Sequence, residues 1–118
     1  MLILVVEDNS DIALVLGDRL QAMGHEVLMA ADGKVGLELM DRHAPGLLLL
    51  DLELPRVNGM EVLRRARKES PDVPIIVMTA YGTIPRAVEA MKEGATDFIT
   101  KPFDADYLKI VIGKALER

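Results

Sequence analysis

The stretch 47-LLLLDLELP-55 decides how this chain is read. Four leucines run without a break into Asp51, and Glu53 and Pro55 follow. An apolar run with no polar alternation suits a strand buried on both faces, as in a parallel sheet covered by helices. The acid at its end either marks where the strand meets water or is held there for chemistry. Four other runs are predicted as strands beside 47–50: "LILVV" (2–6), "EVLMA" (26–30), "IIVM" (75–78) and "DFIT" (97–100).

The segments between these runs read as amphipathic helices. Ile12, Val15, Leu16 and Met23 repeat at helical spacing, as do Met60, Leu63 and Ala66. Ile84, Ala87, Val88 and Met91 form a third stripe, and Leu108, Val111, Ile112 and Ala115 a fourth. In the weakest segment, 34–42, Leu37 and Met40 must carry the buried face. Asn58, with Glu61 three residues on, resembles a capping box, and Asp104 is placed to cap the last helix. Gly24 and Gly94 fall where helices should stop, and Pro85 sits in a first turn after Gly82.

The sum is an α/β chain of five strand–helix pairs, (βα)5. Right-handed crossovers make it a doubly wound parallel sheet with helices on both faces. At 118 residues the whole chain, 1–118, is the size of one domain. A net charge of -5 argues against a nucleic-acid surface, which needs a basic stripe. No cysteine is present, so disulfides and thiolate metal sites are excluded. "MLILVVEDN" is too short for a membrane span or signal peptide, and the expected location is the cytoplasm.

Ligands of doubly wound sheets sit at the carboxyl ends of the strands. Here the ends carry Glu7-Asp8, Asp51, Thr79 and Lys101-Pro102, whereas the second strand ends in Ala30-Ala31. Each residue alone has a plain explanation: a solvated strand end, a helix cap, a turn hydroxyl, a surface lysine. Together they meet on one edge. Three acids crowded there repel, and a hard divalent ion relieves that repulsion; oxygen ligands without histidine or cysteine suit Mg²⁺ or Mn²⁺. A carboxylate beside such an ion can attack phosphorus and form an aspartyl phosphate. The transferred group then needs a metal, a cation and a hydrogen-bond donor around it. Lys101 is the one strand-end cation and Thr79 the one strand-end hydroxyl.

With those residues in view, the chain resembles the receiver domain of bacterial two-component response regulators. The matching pieces are "ILVVEDN", "LLLLDLELPRVNGMEVL", "PIIVMTAYG" and "GATDFITKPF", in the family's order and spacing over nearly the whole chain. "MTAYGTIPRAVEAMKEGATDFITKPFD" is most similar to receivers of nitrogen-regulatory-type transcription activators. The resemblance implies a flavodoxin-like sheet of order 2-1-3-4-5. It implies Asp51 as phospho-acceptor and Asp8 as direct metal ligand, with Glu7 helping to hold the ion through water. Asp51 itself and the backbone carbonyl of Glu53 complete the metal set. Thr79, the Ala80 N–H and Lys101 would bind the phosphate. Thr79 and Phe98 would be the switch pair, and Lys101–Pro102 a cis peptide.

Glu7 stands where many members have Asp, and the side chains of Glu53 and Tyr81 fall at variable positions. The Glu53 carboxylate is expected to alter phosphate lifetime. The resemblance further implies a histidine kinase or phosphotransfer protein as donor. Phosphorylation would reshape the face of the fourth helix, fifth strand and fifth helix, to control an output domain or to form a homodimer. Tyr107 and Ile110 lie off the core stripe on that face. Such a chain is a phospho-acceptor that assists its own phosphorylation and dephosphorylation, not a turnover enzyme.

Two rivals remain at this point. Haloacid-dehalogenase-type phosphatases also place Asp-x-Asp after an apolar strand, but near the N-terminus, with the acid pair last. Here the acid pair comes first. A degenerate receiver would be an interaction module that never takes phosphate. Arg64, Arg65, Arg67 and Lys68 read as a solvated helix end, favoured by the helix dipole. His25 and His43 have no partner at ligand spacing.

Overall fold

The structure, a computed structural model, describes residues 1–80 and 84–117. Tyr81 and Gly82, which the sequence places beside the site and before the fourth helix, lie outside the described residues. The elements alternate without exception. They are β1 (Leu2–Val6), α1 (Ser10–Ala22), β2 (Glu26–Ala30), α2 (Gly33–His43), β3 (Leu47–Asp51), α3 (Gly59–Glu69), β4 (Ile75–Ala80), α4 (Ile84–Lys92), β5 (Asp97–Lys101) and α5 (Ala105–Leu116). All pairings are parallel and the strand order is β2-β1-β3-β4-β5, as expected. Three strands run slightly past the predicted runs, so that Asp51, Ala80 and Lys101 belong to strand ends.

The four leucines are fully buried, but they divide between two cores by strand alternation. Leu48 and Leu50 join Leu4, Val6, Ile75 and Val77 under α2, α3 and α4. Leu47 and Leu49 join Ile3, Val5, Ile76 and Met78 under α1 and α5. Each such side chain contributes about 1.5–3 kcal/mol by leaving water. The central strand therefore has no solvated face, and the first polar residue it can carry is at its end.

One helix turns a different side inward from the one predicted, and another departs from its stripe at a single residue. In α1 the stripe holds at Leu16, buried with Gly17 and Leu20, and at Ile12 and Met23, which pack half buried on the core, whereas Val15 is 47% exposed. In α4 the buried residues are Ala87 and Ala90. Ile84, Val88 and Met91 are 53%, 48% and 41% exposed. Small residues let this helix lie close to the sheet, and the larger ones then fall about 100° round the axis. A hydropathy stripe cannot tell the two arrangements apart.

The helix starts are chemically explicit. Asn9 caps α1, its Oδ1 accepting from Asp11 N at 3.0 Å and Ile12 N at 3.1 Å. That leaves Glu7 and Asp8 out of the capping role. Asp104 Oδ1 accepts from Tyr107 N at 2.7 Å and Asn58 Oδ1 from Met60 N at 2.9 Å. The capping box is only half formed, because the Glu61 carboxylate lies 3.6 Å from Arg64 instead. Gly24 and Gly94 end helices at φ 93° and 109°, where a β-carbon would be strained. The Lys101–Pro102 peptide is cis.

One correction concerns the arginine run in α3. Arg67 is not part of a solvated helix end. Its guanidinium donates to the carbonyls of Gly94 (2.9 Å), Ser70 (3.2 Å), Pro71 (2.9 Å) and Val73 (2.7 Å), and to Thr96 Oγ1 (3.4 Å). It thereby ties together the turns that lead into β4 and β5. Among the described residues no helix is long and apolar enough to cross a membrane.

Candidate functional site

The carboxyl ends of β1, β3, β4 and β5 meet as the strand order requires. Asp51, the last residue of β3, is buried, and so are Glu7 and Thr79. Lys101 reaches inward from the end of β5. Its Nζ lies 2.9 Å from Asp51 Oδ2 and 2.8 Å from Glu7 Oε1. The other aspartate oxygen, Oδ1, accepts from the backbone N–H of Glu53 at 2.9 Å. Both oxygens of Asp51 are thus oriented by a donor.

The loop after Asp51 is shaped from below by Gly59 at the start of α3. A β-carbon there would come within 2.6 Å of Leu52 Cα and 2.8 Å of the Asp51 carbonyl oxygen. Only glycine lets α3 start this close to the end of β3. The sequence shows this glycine plainly, but its contact with the backbone of Asp51 and Leu52 is visible only once the chain is folded. Arg86 of α4 was also missed; it donates to the Leu52 carbonyl at 3.0 Å and so touches the same loop.

Electrostatics separate the two buried acids. Burial raises the Glu7 carboxyl, and its hydrogen bond with Asp51 raises it further, to about 7. Asp51 goes the other way. Burial opposes its ionisation, but hydrogen bonds from Glu7, Lys101 and the Glu53 N–H outweigh burial and hold it below the usual carboxylate range. Burial likewise works against the Lys101 cation, and its bonds to Glu7 and Asp51 overcome that and raise it. At neutral pH, Asp51 is an anion paired with an ammonium, and Glu7 sits near its midpoint.

The donor set fits a divalent cation. Oxygens of Glu7, Asp8 and Asp51 lie within 4.8 Å of one another, with Asp8 exposed and the other two buried. Glu7 Oε1 is buried and, despite the nearby ammonium, accepts no well-directed hydrogen bond among the described residues. An all-oxygen cluster open on the Asp8 side is a hard-cation site in its chemistry.

The remaining predicted residues surround this centre. Thr79 and Ala80 end β4, and both meet the Glu53 side chain. Glu53 Oε1 accepts from Ala80 N at 2.8 Å and from Thr79 Oγ1 at 3.4 Å. The sequence led to an expected effect of that side chain on phosphate lifetime, but not to these partners. Phe98 lies on β5, half buried, and packs on the core under α2, α3 and α4.

Known proteins share this sequence and fold. A family model described as "Response regulator receiver domain" matches residues 3–112. The luminescence regulatory protein LuxO of Vibrio campbellii is 40% identical over 114 residues, covering 97% of this chain and 25% of that protein. The transcriptional regulatory protein GlrR of Escherichia coli is 37% identical over 116 residues, covering 98% of this chain and 26% of that protein. The crystal structure of the receiver domain of NtrX from Brucella abortus superposes with a TM-score of 0.94 at 39% identity, covering 98% of each chain. The chain thus spans about a quarter of the length of the curated relatives it matches. These matches agree with a receiver of the nitrogen-regulatory activator type and lend nothing to the phosphatase alternative. By fold, edge chemistry and sequence, the chain belongs to the receiver-domain family of two-component response regulators.

Proposed function

We propose that this receiver, residues 1–118, accepts a phosphoryl group on Asp51 and uses it as a conformational switch. The observation that carries the reading is the buried Asp51 carboxylate, paired with Lys101 inside a three-acid cluster. Glu7, Asp8, Asp51 and the Glu53 carbonyl would hold Mg²⁺, or Mn²⁺ in its place. The bound ion would supply charge neutralisation at the transferring phosphoryl oxygens.

The chain's own residues do the rest. An Asp51 oxygen attacks phosphorus, the P–N bond of a phosphohistidine breaks, and its electron pair stays on the imidazole nitrogen. Lys101 loses one carboxylate partner and gains a phosphoryl oxygen. The Ala80 N–H and the Thr79 hydroxyl donate to another, and Phe98 follows Thr79 inward. The added group carries roughly two negative charges, enough to bias a two-state face built from α4, β5 and α5. That face would act on an output domain, a target protein or a second copy of the chain. The donor would be a histidine kinase or phosphotransfer protein, and the setting the cytoplasm.

Incubation with Mg²⁺ and a labelled small phosphodonor tests the reading. Label should reach one equivalent on the parent chain and be lost entirely in Asp51→Asn. Repeated turnover of a phosphomonoester, with no label retained, would favour a phosphatase. A spectrum unchanged by Mg²⁺ plus beryllofluoride would favour a degenerate receiver.

A further inference from the structure

The Glu53 side chain has no part in the scheme above, yet it occupies the scheme's central space. Its Oε1 takes the Ala80 N–H at 2.8 Å and lies 3.4 Å from the Thr79 hydroxyl. Its own N–H, meanwhile, holds Asp51 Oδ1 at 2.9 Å. One residue therefore binds the nucleophile through its backbone and covers the facing donors through its side chain. We propose that the Glu53 carboxylate is a resident anion, seated on the donors of the incoming phosphoryl oxygen, that phosphorylation of Asp51 must expel.

The inference rests on the phospho-acceptor reading and adds a competitor to it. A backbone N–H has a single proton and makes one strong hydrogen bond. The carboxylate and the phosphoryl oxygen cannot both have that of Ala80. Charge sharpens the exclusion, because a phosphoryl group adds roughly two negative charges beside a carboxylate. Before modification the same carboxylate pairs with the Ala80 N–H and holds the loop after β3 to the end of β4. Arg86 fastens that loop to α4 through the Leu52 carbonyl. Expulsion of Glu53 therefore removes its tie between the loop and the end of β4, and leaves the Arg86 bond to α4 and the Leu52 N–H bond to the Met78 carbonyl at 2.9 Å.

The competition predicts that the native side chain weakens binding of a phosphoryl group or its analogue. Glu53→Ala removes both the acceptor and the charge. Glu53→Gln keeps an acceptor oxygen and removes only the charge. The Glu53 backbone carbonyl and N–H are present in both variants. The Mg²⁺ affinity of each protein is measured first, and beryllofluoride is then titrated at saturating Mg²⁺ with calorimetry and backbone amide spectra.

Glu53→Ala should bind beryllofluoride about tenfold tighter than the parent, the scale of one released hydrogen bond to a charged group. Glu53→Gln should fall between. Before any addition, the Ala80 amide proton should resonate well downfield in the parent and move upfield in Glu53→Ala. A parent that responds to beryllofluoride while Glu53→Ala binds it no tighter would overturn the inference and leave the phospho-acceptor reading standing. Silence from both proteins would overturn that reading, and the inference with it.

Discussion

The two ends of the sheet each hold a half-buried cation, and they use it differently. At the amino ends of β4 and β5, Arg67 gives its donors to four backbone carbonyls and one hydroxyl. These acceptors are neutral and fixed by the turns that carry them. At the carboxyl ends, Lys101 stands between two carboxylates, one of which keeps a buried oxygen without a well-directed hydrogen bond. The first network is closed, and its task is to hold turns in place. The second is left incomplete in a way that another cation or a phosphoryl group would complete. Buried polar groups are as a rule hydrogen-bonded, so an exception such as Glu7 Oε1 points to a role other than stability.

Removing the cation at the closed end should cost the most stability. Arg67→Ala strips donors from several carbonyls at once, and water can reach only some of them. The expected loss is about 2–3 kcal/mol in denaturant unfolding. Single-equivalent labelling of Asp51 should survive in the fraction that remains folded. Loss of labelling without loss of stability would mean the two ends are not separate networks.

The open end should behave in the opposite sense. Glu7 carries a carboxyl raised from 4.5 to about 7, so the folded state holds a proton that the unfolded chain has released. Its favourable contribution is complete below pH 4.5 and is lost as pH rises through about 7. Without metal, Glu7→Gln should therefore match the parent near pH 4.5 and exceed it by about 1–2 kcal/mol at pH 8, a discounted figure for a carboxyl coupled to Asp51. Mg²⁺ would reverse the ranking by favouring the ionised acid. Its affinity for the parent should climb between pH 6 and 8, and in Glu7→Gln it should be weaker and flatter. A parent whose stability increased steadily from pH 5 to 8 without metal would refute the assignment.

This contrast also explains what could be read from the sequence. The five parallel strands and the convergence of Glu7, Asp51, Thr79 and Lys101 follow from apolar runs and from the geometry of parallel sheets, which are local signals joined by one rule, whereas the strand order came with the family resemblance. The buried face of α4 was less legible. This helix has apolar residues on more than one side, and small Ala87 and Ala90 go in while Ile84, Val88 and Met91 stay out. Arg67 was not legible at all, because Gly94 and Thr96 lie 27 and 29 residues away in sequence. The Glu53 side chain escaped for the same reason, its partner Ala80 being 27 residues on.

The finest test of the comparison lies inside the run 64-RRARK-68. Arg64 sits one helical turn from Arg67 and also gathers several partners: Glu93 at 3.1 Å, Glu61 at 3.6 Å and Glu89 at 3.9 Å. Counting contacts would rank the two arginines alike. Their surroundings do not, since the side chains of Arg64, Glu61 and Glu89 are 43%, 52% and 54% exposed. Water and salt replace such ion pairs almost fully when one partner is removed. Arg64→Ala should therefore leave the unfolding midpoint unchanged within error at physiological salt, whereas Arg67→Ala lowers it. A comparable loss from both would mean that charge, rather than the pairing of backbone carbonyls, holds α3 to the turns before β4 and β5.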